Sequence, residues 1–338
     1  MKTITARAPG KLMLLGEHAV VYGYPCIVTT VGLYVSATVT LTNDHRLTIS
    51  TPNLRHQKIT FQKPLDEIGQ DLSVETAFAE AAVAQILARA AAPTGLLVHT
   101  DGPTLSYGLG SSSAVTVAVA AACAHALGLN LTNRELFDLA YAAVLAAQGK
   151  GSGFDIAAAI YGGTIWFETA GKAIEPLICP ELPFLIGYSG AKVSTRRFVD
   201  GVAQLRQRQP THIERIFQQI SELTKDARSA LTNQEWQRLG DLLDLNQGLL
   251  DSLGVNTPPL ARLIFAAREA GALGAKLSGA GGGDCMFALS QPADRQAIMA
   301  AINHHGQWID LPLGVPGVQI TVDDHTYNTP NRSPRSAE

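Results

Sequence analysis

The alternation of apolar and polar positions marks out strands at both ends of each half of the chain, with helices between them. Residues 4–8 alternate and then meet Pro9-Gly10, which predicts a short strand running into a turn. The stretch YPCIVTTVGLYVSATVTL is rich in Val, Thr and Ile and predicts strand, and RLTIS and KITFQ continue a β-meander. Over 75–92, ETAFAEAAVAQILARAAA carries an apolar stripe at helical spacing. GLLVHTDG returns to strand. A long run of small apolar residues after SSSA then predicts a buried helix, and NRELFDLAYAAVLAAQGK predicts another, capped by Thr132 or Asn133.

After GTIWFE the pattern changes. Residues 175–183 form a proline-containing connector, and FLIGYSG is a strand. Two long polar-faced helices follow over 211–230 and 233–253, and Pro258-Pro259 opens a third. KLSGAGGGDCMFALS supplies a glycine-rich turn and a strand, 292–304 is helical, VQITV is a late strand and NTPNRSPRSAE is a polar tail expected to be disordered. Strands and helices mix in both halves without strict βαβ alternation and without repeats. The expected class is α+β, with domains over 1–172 and 173–327 and a tail over 328–338.

Composition narrows the function. The 338 residues suffice for two domains with their own cores. With 46% hydrophobic and 16% charged residues and a net charge of −3, the chain lacks the basic excess of a nucleic-acid binder. No window approaches 18 uninterrupted apolar residues and the first residues hold no signal-like apolar core, so neither a membrane nor export is expected. Cys26, Cys123, Cys179 and Cys285 are far apart and form no CxxC pair. Reduced thiols in a cytoplasmic protein follow. The nine histidines are scattered, so a metal held by protein side chains alone is not expected.

Four stretches carry the candidate chemistry. In YGLGSSSA, Gly108 and Gly110 remove the Cβ atoms that would block a phosphate, and Leu109 lies between them. Ser111, Ser112, Ser113 and Ala114 then open a helix whose N-terminal N–H groups attract anions. Neither a Walker loop nor a dinucleotide loop fits this spacing. A serine-capped turn is the bland alternative. In KLSGAGGGDC, Gly279, Gly281, Gly282 and Gly283 surround Ala280; such a run forms either an anion-binding nest or a tight strand connection. In APGKLMLLGEHAVVYGYP, Lys11 borders an apolar run and Glu17 and His18 interrupt another. In GKGSGFDIAAAIYGG, Asp155 is isolated among small and apolar residues, so it caps the following helix, pairs with a cation or works; Lys11 is the nominated partner.

In this order and at these separations, PGK…GEH, GLGSSSA and GAGGGD resemble the galactokinase, homoserine kinase, mevalonate kinase and phosphomevalonate kinase (GHMP) superfamily over nearly the whole chain. The resemblance implies a ribosomal-S5-like N-terminal domain, a ferredoxin-like C-terminal domain, and ATP and magnesium between them. GEHAVVYGYP and NQGLLDSLGVNTPPL are similar to the branch that phosphorylates mevalonate. AAQGKGSGFDIAAAIYG and Asp284 lean toward the branch that acts on phosphomevalonate. The mevalonate branch carries a metal-binding Glu eleven residues before the catalytic Asp; here that position is Val144.

By resemblance, the residues at 108–114 with Gly281 and Gly282 hold the nucleotide, and Ser112 helps place magnesium. Asp155 and Lys11 are catalytic. Glu17, His18, Thr195, Gly279 and Ala280 face the acceptor. Lys150, Lys192, Arg196 and Arg197 are cations that a phosphorylated acceptor would need. The expected function is transfer of phosphate from ATP to the 5-hydroxyl of mevalonate, with phosphomevalonate as the rival acceptor and a non-catalytic ATP- or metabolite-binding relative as the rival of another class. A homodimer is left open.

Overall fold

The computed structural model describes residues 3–52, 58–90, 95–102, 107–179, 181–322 and 325–328; residues 329–338, nearly all of the expected polar tail, lie outside the described residues. The first half runs β1 (Thr3–Leu15), β2 (Cys26–Leu41), β3 (Arg46–Pro52), β4 (Lys58–Pro64), α1 (Ala77–Leu87), β5 (Leu96–Asp101), α2 (Ser111–Ala126), α3 (Asn133–Gln148), α4 (Phe154–Tyr161), β6 (Thr164–Phe167) and β7 (Ile174–Leu177). The second half runs β8 (Phe184–Tyr188), α5 (Thr195–Arg208), α6 (Pro210–Thr232), α7 (Trp236–Ser252), α8 (Pro258–Glu269), β9 (Gly274–Leu277), β10 (Cys285–Leu289), α9 (Arg295–His305), β11 (Gln307–Ile309), β12 (Gln319–Val322) and β13 (His325–Asn328).

The first sheet has the order β13-β12-β1-β2-β5-β3-β4, with β6 on β2 and β7 on β6. The second has the order β11-β8-β10-β9, all antiparallel. In chain order its strands stand fourth, first, third, second, the split βαβ arrangement of a ferredoxin-like unit. The class is α+β, as expected.

Several elements differ from the sequence pattern. Pro9-Gly10 does not end the first strand: β1 continues to Leu15, with register shifts against β2 at Pro9/Gly10 and at Met13/Leu15. A bulge leaves one residue out of the ladder, so a proline without N–H is tolerated there. The run LMLL is buried on both faces: Met13 enters a core with α2, whereas Leu12 and Leu14 pack with Leu231 and Leu242 of the second half. Burial on both faces makes the strand read as a continuous apolar run. β7 lies inside the expected connector, and α5 was not anticipated as a separate helix. Ile174–Leu177 and Gln319–Val322 pair with β6 and β1, so parts of the 173–327 span belong to the first sheet.

Two helices position the site. α2 is buried along Val117 to Ala124, so it is apolar all round and sits between the first sheet and α1, α3 and α4. α3 starts at a capping box, as Thr132 suggests: Thr132 Oγ1 accepts from Glu135 N at 3.2 Å, and Thr132 N donates to Glu135 Oε2 at 2.9 Å. Val144 faces the first core from α3 and is 4% exposed.

Candidate active site

Gly110 caps α2 with φ 85, in the left-handed region where glycine carries no Cβ penalty, and no side chain caps this end among the described residues. Ala114 N donates to Gly110 O at 3.1 Å, so the N–H groups of Ser111, Ser112 and Ser113 precede the first helical bond and have no carbonyl within the helix. Ser111 and Ser112 are exposed, Ser113 is half-buried, and Leu109 and Ala114 are buried. The helix thus offers an uncapped, partially positive terminus to solvent.

Lys11 and Asp155 meet at that terminus. Lys11 N donates to Leu109 O at 2.8 Å, which fixes β1 against the loop. Lys11 Nζ lies 3.3 Å from Asp155 Oδ1, and the side chains are 11% and 30% exposed. This is a charge contact without hydrogen-bond geometry, since Asp155 Oδ1 is buried and has no hydrogen-bond partner among the described residues. A Cβ on Gly110 would crowd Lys11, 3.0 Å from its Cγ, and would stand at ordinary contact distance, 3.6 Å, from Asp155 Oδ1. The capping role open to Asp155 is not used: Gly153 is the N-cap of α4, with no side-chain bond.

The glycine loop of 279–283 reaches the same point from the second sheet. A Cβ on Gly279 would stand 4.0 Å from Lys11 Nζ. Ser278 Oγ accepts from Met13 N at 3.0 Å and donates to Met13 O at 2.9 Å, joining the loop to β1. Gly281 and Gly282 are buried, and Gly282 N donates to Val255 O at 2.7 Å. The Gly282 N–H is thus engaged within the chain, and a Cβ there would fall 1.9 Å from Phe198 Cε2. Gly279 and Ala280 are the more open members of the loop.

His18 and Glu17 separate in role. His18 has φ 60, and its Nε2 is 3.1 Å from Ala280 O. A carbonyl only accepts, so Nε2 carries the proton and Nδ1 is left as an acceptor. Burial lowers the His18 pKa to about 4, against a smaller opposing effect of the Ala280 bond, and the ring is neutral near pH 7. Glu17 is tied to two side chains of the second half. It has no exposure; Oε1 receives a short hydrogen bond from Lys276 Nζ, and Oε2 accepts from Asn246 Nδ2 at 3.2 Å. Burial pushes the Glu17 carboxyl up and the Lys276 ammonium down, and each opposes the shift of the other.

Lys276 and Asn246 are partners of Glu17 that sequence reasoning missed. The available signal was a lone lysine in the strand GAKL and an asparagine among the leucines of α7. Thr195 is exposed at the start of α5, between Val193 and Phe198, which pack on Gly283 and Gly282. Of the four candidate cations, Lys150 Nζ binds Asp200 Oδ1 at 2.5 Å and Arg196 Nε lies 3.6 Å from Asp200 Oδ2. Asp284, with φ 57, stands against Gly108: a Cβ there would lie 2.3 Å from Asp284 Oδ2. Burial raises its carboxyl pKa, opposed by Lys11 and Lys192. The thiols of Cys26 and Cys285 border the site and are pushed up by burial, which keeps them protonated.

Comparison with known proteins gives the family and the fold. Residues 77–163 match the pattern described as the GHMP kinases N terminal domain, and residues 227–307 match GHMP kinases C terminal. A mevalonate kinase of Thermococcus gammatolerans is 37% identical over 319 residues, covering 90% of this chain and 93% of that protein. The crystal structure of L. major mevalonate kinase in complex with R-mevalonate is 27% identical with a TM-score of 0.72, covering 94% of this chain and 96% of that one. Streptococcus pneumoniae phosphomevalonate kinase in complex with phosphomevalonate and AMPPNP, at 20% identity and a TM-score of 0.78 over 91% of this chain and 99% of that one, shares the fold.

Proposed function

The chain belongs to the GHMP kinase family and is an ATP-dependent small-molecule kinase, and we propose that it transfers the γ-phosphoryl group of ATP to the 5-hydroxyl of mevalonate. The observation that carries the chemistry is the Lys11–Asp155 pair, 3.3 Å apart at the uncapped N-terminus of α2. The acceptor follows from the 37% identity to a mevalonate kinase over 93% of its length.

Phosphoryl transfer asks a protein mainly for positioning and charge neutralisation. The free N–H groups at 111–113, with the serine hydroxyls, take the nucleotide phosphates. Asp155 orients the acceptor hydroxyl and takes its proton. Lys11 steadies charge on the transferred group and on the acceptor oxygen. His18 accepts at Nδ1 from an acceptor hydroxyl, while Nε2 keeps the glycine loop in place.

A magnesium ion fits the residues present. Asp284 keeps a buried oxygen without a hydrogen-bond partner among the described residues, and Ser112 adds a hydroxyl. No group of three His, Cys, Asp or Glu that could hold a metal occurs among the described residues. Magnesium commonly takes one or two carboxylates together with phosphates and water. Bound there with the nucleotide, it supplies neutralisation of phosphate charge.

A phosphorylated acceptor brings a further dianion and needs cations beside it. Asp200 is shared between Lys150 and Arg196 on an exposed surface, so the choice of the unphosphorylated acid rests on the identity to a mevalonate kinase. Among the described residues no helix is long and apolar enough to cross a membrane. A coupled assay of ADP release with each acceptor tests the assignment: turnover with mevalonate is expected, and turnover with phosphomevalonate alone overturns it.

A further inference from the structure

Asp284 is the one charged residue of the segment 279–284, and its placement is unusual. Its backbone is left-handed at φ 57, a region that L-residues other than Asn and Asp seldom adopt. The conformation directs the carboxylate onto Gly108, whose missing side chain leaves the room it occupies. Ser189 N donates to Asp284 O at 2.9 Å and Asp284 N to Ala191 O at 2.8 Å, so the backbone is held from both sides. Oδ1 is buried yet has no hydrogen-bond partner among the described residues. Neither Lys11 nor Lys192 lies within ion-pair distance of it there, and Lys11 is directed at Asp155.

A carboxylate at the base of a loop that receives a triphosphate is unfavourable by itself. Two like charges in contact repel, and more strongly at the effective dielectric of a protein surface than in water. A cation between them reverses the sign. Val144 is buried in the first core and cannot ligate an ion, and Asp155 is committed to Lys11 and the acceptor.

Resting on the kinase function proposed above, we propose that Asp284 is the carboxylate that receives the nucleotide's divalent cation, through its unpartnered Oδ1 and from the half of the chain opposite α2. The glycine loop then takes part in binding the metal–nucleotide complex as well as in closing the site. Loss of this carboxylate weakens the metal and not the bare nucleotide.

The test uses the full chain and two variants, D284N and D284G. The glycine variant relieves the left-handed backbone and is expected to fold at least as well as the parent. Mn2+ binding to each protein–ADP complex is followed by electron paramagnetic resonance, and ADP binding in the presence of EDTA by calorimetry. The expected result is at least tenfold weaker Mn2+ binding in both variants, with metal-free ADP affinity unchanged or higher. Mn2+ affinity within twofold of the parent in both variants overturns the proposal and leaves the kinase function intact. So does equal weakening of ADP with and without metal, which marks a structural role. A parent that binds no ADP overturns both.

Discussion

At the scale of single residues, the site depends on one ion pair and one neutral ring. Asp155→Asn removes the proton acceptor and Lys11→Met the balancing charge. Each is expected to lower kcat by at least about a hundredfold while the thermal transition persists. Near-normal turnover in either variant removes that residue from the chemistry. His18 carries a pH signature. Folding depresses its pKa from the ordinary 6.5 to about 4, so between these values the unfolded chain binds the proton and the folded chain does not. Stability is therefore present above about pH 6.5 and is lost as pH falls, by about 2 kcal/mol between pH 7 and pH 5 from this group. Urea denaturation at the two pH values should show that loss in the parent and a smaller one in His18→Asn, a residue that tolerates φ 60. Equal losses contradict the assignment. The Lys11–Asp155 pairing was legible because a lone carboxylate in an apolar stretch needs a partner. The role of Glu17 was not, because its partner Lys276 lies 259 residues away and nothing local distinguishes a substrate-facing acid from an anchored one.

At the scale of elements, the proposed function gives the helix α2 and its glycine cap the seating of the phosphates. Gly110→Ala places a side chain in the left-handed region, at a cost of about 1–2 kcal/mol, and presses it on Lys11. The opposite end of the helix supplies a control: Gly128 also has positive φ, at 74, but a Cβ there meets nothing within 4 Å. Both variants should lose similar stability in thermal melts, whereas only Gly110→Ala should lose at least about tenfold in kcat/KM. Equal activities would mean that the cap does not shape the site. Most elements were legible from period and caps. Those that escaped have a physical reason. α5 is mostly polar and its stripe is narrow, Val202 buried with Phe198 and Leu205 half-buried beside it, and Pro9-Gly10 resembles a turn although the partner strand β2 carries β1 through it as a bulge.

At the scale of the whole molecule, the halves are joined by shared apolar packing and by buried polar ties. Leu12 and Leu14 of β1 pack with helices of the second half, and Ser278 holds Met13. The Glu17–Lys276 pair, with no side-chain exposure on either partner, is the most costly tie to break. Glu17→Gln or Lys276→Met leaves an uncompensated buried charge and should cost about 3–5 kcal/mol in urea denaturation. The double variant should lose clearly less than the sum of the singles. Single losses below about 1 kcal/mol would contradict a buried ionic tie. The return of β7, β12 and β13 to the first sheet was not legible, since β12 pairs with β1 from the far end of the chain and local pattern carries no record of such a partner.

The central claim is that α2 grips a triphosphate while Lys11 and Asp155 face an alcohol. A crystal structure with a non-hydrolysable ATP analogue and mevalonate tests it most directly. The account predicts the phosphates on the N–H groups of Ser111, Ser112 and Ser113, with the acceptor 5-hydroxyl within about 3.5 Å of Asp155. A triphosphate seated away from that terminus, or an acceptor hydroxyl turned away from both charged groups, contradicts it.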